Sequence, residues 1–148
     1  MEVKVNEYVE GKARILEVFS VKGFRTWRGR EGVGAQATVY KDGKQIGWVK
    51  DEGNGGEVRF DAITKSFWDA QAILDTLPKY EFKDYWKEQY GEVWDGDEEP
   101  KRPWRMHVFA DVMLDQAETN KKNLRETNKK NLRDFLSEYR KNKENGSN

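Results

Sequence analysis

A chain of 148 residues can bury one core, and with only 36% hydrophobic residues that core must lean on the aromatics, which make up 13%. Equal numbers of bases and acids, 27 of each, exclude a uniformly basic coat for nucleic acid and a highly acidic mimic of one. The absence of cysteine excludes disulfides, thiolate metal sites and a cysteine nucleophile, and no apolar run approaches the ~18 residues of a membrane span.

The N-terminus is charged from its second residue, which does not read as a secretory leader, so a soluble cytoplasmic protein is expected. Ala13 to Val21 is rich in β-branched and aromatic residues. Ile15, Phe19 and Val21 alternate with Leu16 and Val18, which predicts a first strand. Gly23 to Gly34 reads as a long loop or exposed hairpin end, and Ala35 to Tyr40 as the next strand. Asp42-Gly43, flanked by TVY and IGWV, is a strong hairpin signal, because both residues tolerate the positive φ of a primed turn. Ile46 to Lys50 is the return strand, EGNGG from Glu52 to Gly56 a second turn, and Glu57 to Phe60 a fourth strand.

Helix is expected from Ser66, where Ser66 and Asp69 form an S-x-x-D capping pattern. Phe67, Ala70, Leu74 and Leu77 make its buried stripe, and Pro78 ends it. YEFKDYWKEQY predicts a short helix with Phe82, Tyr85, Trp86 and Gln89 on one side, and Gly91 to Pro100 an acidic loop. Pro103 suits the first turn of a long helix, along which Phe109, Val112, Met113, Ala117 and Leu124 continue one stripe. The expected architecture is α+β: an N-terminal antiparallel meander of three or four strands over about 12–60, packed with C-terminal helices over about 66–140. The whole chain is expected to form a single domain with a disordered tail over about 141–148.

The last helix contains an identical eight-residue tandem repeat, ETNKKNLR at Glu118–Arg125 and again at Glu126–Arg133. Old duplications drift, so the copy is recent or deliberate. Eight residues of helix rotate the downstream segment by about 80° and advance it by about 12 Å. With one copy, the stripe from Phe109 to Leu124 would run in register into Phe135, Leu136 and Tyr139. With both, the expectation is an extended helix whose end makes a new contact or one borne by a second copy of the chain in a homodimer.

Charge is unevenly spread. Glu81 to Glu99 holds eight acids against two lysines, and Glu118 to Asn148 nine bases against five acids. The stretch Lys22 to Arg30 interleaves Lys22, Arg25, Arg28 and Arg30 with Phe24 and Trp27, a composition suited to phosphate contact with base stacking. Trp94, Asp95, Asp97 and Glu98 are the candidate anchors for a protein partner. No cofactor or metal is expected. The glycines of Gly43–Glu57 precede a strand and lack the Lys-Ser/Thr of a phosphate loop. Asp95–Glu99 lacks EF-hand spacing. His107 reads as an ordinary helix residue, and neither Ser20 nor Ser66 sits in a nucleophile elbow. No residue is singled out for catalysis.

The segment VYKDGKQIGWVKDEGNGGEVRF, Val39 to Phe60, resembles a Gly-rich hairpin of small uncharacterised proteins of bacteriophages and other mobile elements. The resemblance implies an accessory protein that binds one host protein, defence components included, and it carries no functional residues. The order of elements from Phe24 to Leu77 also resembles the AP2-type DNA-binding domain. That implies Arg25, Trp27, Arg28 and Arg30 facing DNA, although the strand Ile46–Val49 lacks the expected arginines. The expected function is therefore non-enzymatic binding of a host protein, with nucleic-acid binding through residues 22–30 as the alternative.

Overall fold

The structure is a computed structural model that describes residues 5–145. The elements run α1 (Glu7–Val18), β1 (Phe19–Arg28), β2 (Val33–Lys41), β3 (Lys44–Asp51), β4 (Arg59–Ala62), α2 (Ser66–Asp75), α3 (Phe82–Tyr90) and α4 (Met106–Asn145). The four strands form one antiparallel meander in the order β1-β2-β3-β4, and the long α4 packs against all four. This is the α+β architecture expected from the sequence.

The largest correction lies at the start. Ala13 to Val18 is helix, and the sheet begins only at Phe19. Asn6 accepts a hydrogen bond from the Val9 amide at 3.0 Å, and Glu7 and Glu10 sit in the first turn, where negative charge favours a helix. Tyr8, Gly11 and Ile15 then bury one face. That burial outweighs the strand preference of the β-branched residues, which was the only signal the alternation carried.

Gly23–Gly34 is not a long loop. β1 runs through it to Arg28 and pairs with β2 from Val33 onward. The register shifts between Lys22 and Arg25, so Gly23 and Phe24 together oppose one residue of β2. Gly23 has φ 72, which makes this a bulge of the kind that needs glycine. The Asp42-Gly43 turn has φ 53 and 76, the left-handed pair of a type I′ hairpin. β4 lies two residues later than expected, at Arg59–Ala62.

The helices need smaller corrections. α2 starts at Ser66, but its N-cap is Lys65 and no side chain caps it. It ends at Asp75, before Pro78, with the Thr76 hydroxyl donating to the Ile73 carbonyl. Pro103 lies outside α4, which begins at Met106. Residues 141–145 are helical rather than a disordered tail, and 146–148 fall outside the described residues.

The core has two parts. Between sheet and α4, Phe109 meets Phe19 edge-on at 4.8 Å and Phe60 at 5.4 Å, above Val39, Val49 and Met113. Full burial of one such ring contributes about 1.5–3 kcal/mol. Beside it, Trp104 stacks on Tyr8 at 5.1 Å, with Tyr80 and Tyr85 edge-on to Tyr8. α4 runs on unbroken through both copies of the repeat, as the extension reading expects. Its last buried residue is Ala117, so Leu124 does not continue the core stripe.

Candidate functional site

Three surfaces collect the chemistry-bearing residues. The first is the face of the sheet turned away from α4. Strand alternation and the Gly23 bulge bring Lys22, Arg25 and Trp27 onto it, with Gln36, Thr38, Tyr40, Trp48 and Lys50. The Lys22 ammonium lies 5.5 Å from the centre of the Tyr40 ring, and Arg25 donates to Gln36 at 3.4 Å. Trp27 is seated on Gly34, where a Cβ would fall 2.4 Å from the indole, and Lys50 lies over it at 5.7 Å. Arg59 pairs with Glu52 at 2.6 Å and with Asp61 at 3.1 Å, and Lys50 also reaches Glu52 at 3.6 Å. Lys22 and Arg25 are therefore the cations of this face without an ion pair among the described residues. Arg28 alternates to the opposite side, and Arg30 sits in the hairpin turn, so the five expected residues do not form one patch.

The second surface is the acidic segment after α3. Trp94 folds back against Phe82 at 4.8 Å and Trp86 at 5.0 Å, and its indole N–H donates to the Asp97 carbonyl at 3.0 Å. Asp95, Asp97 and Glu98 are exposed around it. The four residues are thus neighbours in space, with the indole serving as the loop's own anchor.

The third surface is the far half of α4. Lys121 donates to the Phe24 carbonyl of β1 at 3.2 Å. Beyond it Leu124, Leu132, Phe135, Leu136 and Tyr139 are 43–64% exposed. Leu132, Phe135, Leu136 and Tyr139 stand at i, i+3, i+4 and i+7, so they share one helical face. At 100° per residue, Arg125, Lys129, Arg133, Arg140 and Lys143 lie on or beside one edge of that face.

Sequence reasoning missed a fourth feature. Asp111 and Asp115, one turn apart on α4, border a cleft of about 340 Å³ with Asp51 and Glu118. Burial, then Asp115, Asp51 and Glu57, pushes the Asp111 carboxyl up to about 6. Burial also raises Asp115, against the opposing pull of Lys12. The available signal was a like-charged i, i+4 pair inside an otherwise apolar helical stretch, an arrangement that is unfavourable on its own. Among the described residues, no group of three or more histidine, aspartate or glutamate side chains is placed to hold a metal ion. No helix among them is long and apolar enough to cross a membrane.

No protein-family model matches the chain, and neither the curated proteins nor the solved structures compared with it include a match.

Proposed function

We propose that this chain is a non-enzymatic binding protein whose far α4 half docks into an apolar, acid-rimmed groove of another protein. Such a role suits an accessory protein of a phage or mobile element acting on a host component. The observation that carries the reading is the exposed quartet Leu132, Phe135, Leu136 and Tyr139 at i, i+3, i+4 and i+7. That spacing is how an amphipathic helix enters a groove. The apolar side of this segment is left exposed. The cations at its edge, of which Lys129 pairs with Glu126 at 3.7 Å, favour an acidic rim. The sheet face supports nucleic-acid binding less well. Two unpaired cations give a weak phosphate contact, and Trp27 is already covered by Lys50.

The test compares the parent chain with Phe135→Glu/Leu136→Glu and with Arg25→Ala/Arg28→Ala. A partner protein that, once purified, binds the parent and the arginine variant but binds the glutamate variant about 100-fold more weakly supports the proposal. A partner indifferent to the glutamates overturns it. So does nuclease-sensitive capture that depends on Arg25 and Arg28, or self-association as the sole use of the helix.

A further inference from the structure

We propose that the aromatic face of α3 is the docking site for the far half of α4 from a second copy of this chain. A ladder of rings builds that face. Phe82, Trp86 and Tyr90 stand at i, i+4 and i+8 of α3, and Trp94 folds back beside them. Trp86 lies 4.3 Å from Tyr90 and 5.0 Å from Trp94, and Phe82 lies 4.8 Å from Trp94. Every residue of α3 is at least partly exposed. Tyr90 is 55% and Val93 79% exposed at one end of the ladder. At the other end a hollow of about 230 Å³ opens between Phe82 and Trp94, edged by Glu81, Glu98, Glu99 and Lys83.

Charge and spacing name the occupant. Glu81–Glu99 carries eight acids against two lysines, whereas Glu118–Asn148 carries nine bases against five acids. The two segments are opposite in sign, and the exposed quartet Leu132, Phe135, Leu136 and Tyr139 supplies the apolar side of the contact. Acid-edged rings suit such a helix twice over, because they pack on its leucines and phenylalanine and take its cations over their faces. Arg102 already lies that way over Phe82, at 4.2 Å. The two surfaces of one chain cannot meet. Tyr85 borders a cavity with His107, so α3 stands at the root of α4. Phe135 is about 44 Å farther along the same unbroken helix. An antiparallel pair of α4 helices brings each far face to the root of the other, and two reciprocal contacts close a dimer. Each contact involves one helical face, so the dimer dissociates on dilution and in salt.

This inference rests on the reading of the far α4 face as a docking helix, and it makes a second copy and a host protein compete for that face. The test is sedimentation velocity of the full chain from low-micromolar to near-millimolar concentration. The parent should pass from monomer to dimer, and added salt should reverse it. Tyr90→Ser/Val93→Ser and Phe135→Glu/Leu136→Glu, all at exposed positions, should each weaken association about tenfold or more. Glu98→Lys, which leaves the ladder intact, should weaken it by a smaller factor. An equimolar mixture of the two double variants should regain part of the association, because the sound helix of one meets the sound ladder of the other. A parent that stays monomeric throughout overturns the proposal. So does a dimer that survives Tyr90→Ser/Val93→Ser, or a mixture no better than either variant alone, which is the signature of α4 pairing with itself. If the chain is monomeric yet a purified host protein is lost only by the Phe135/Leu136 variant, this inference fails and the docking reading stands.

Discussion

Gly11 and Trp104 are matched in shape: the indole lies so close to the α1 backbone that a Cβ on residue 11 would fall 2.4 Å from the ring. A glycine within a helix costs up to about 1 kcal/mol relative to alanine, and here it permits the stacking of Trp104 on Tyr8. The Trp104 indole N–H has no hydrogen-bond partner among the described residues, so packing rather than polar contact holds the ring. Gly11→Ala should therefore destabilise the protein in spite of the better helix former. Overpacking of a ring with no room to retreat costs about 1–3 kcal/mol. Equilibrium denaturation measures it, and a variant as stable as the parent would place the indole elsewhere.

Gly47 is the equivalent point in the sheet. A Cβ there would lie 2.3 Å from the Asp61 carbonyl oxygen and 2.9 Å from the Phe60 ring. The nearest obstacle is backbone, so a side chain cannot be accommodated by a rotamer change. Gly47→Ala should separate β4 from β3 at a cost of about 2 kcal/mol or more. Hydrogen exchange should show faster amides along Arg59–Ala62 with β1 and β2 little changed.

Asp111 makes stability depend on pH in a definite direction. Its raised value means that the folded chain keeps this proton to about 6, whereas the unfolded chain releases it near the ordinary carboxylate range. The group's advantage to folding is full below that ordinary range and is lost as pH rises through about 6. Facing it are Asp115, Asp51 and Glu57, all of the same sign. Asp111→Asn should raise stability at pH 7 by on the order of 1 kcal/mol, allowing for solvent screening, and leave it unchanged near pH 4. Parallel denaturation of both proteins from pH 4 to 8 checks this. A constant difference across that range would contradict it.

The repeat lies outside the core. None of Glu126–Arg133 is buried. Deleting these eight residues should leave the stability of the body within about 0.5 kcal/mol of the parent. It would remove Leu132, put Leu124 in its place, turn the Phe135–Tyr139 segment by about 80° and draw it back by about 12 Å. Thermal unfolding followed by tryptophan fluorescence reports on the body, because all six tryptophans precede α4. A large drop in its midpoint would mean that the far half of α4 supports the core.

Periodicity and turn chemistry determined much of this protein. The Asp42-Gly43 hairpin, the strands around it, the short α3 and the continuous long helix arise from residues close in sequence, because left-handed turns and amphipathic stripes are local properties. The α1–β1 junction was not legible that way. From Ala13 to Val21 the same residues suit either period, and the choice fell to the burial of Tyr8, Gly11 and Ile15 against partners far along the chain. The sites divide likewise. The sequence by itself determined that Lys22, Arg25 and Trp27 are rich in chemistry and that residues 132–139 form a stripe. Only the tertiary structure decided that Trp94 is an internal prop, that α4 leaves the sheet before that stripe begins, and that α3 stands beside the root of α4. Each of these depends on which distant surfaces are already occupied, and local propensity carries no information about that.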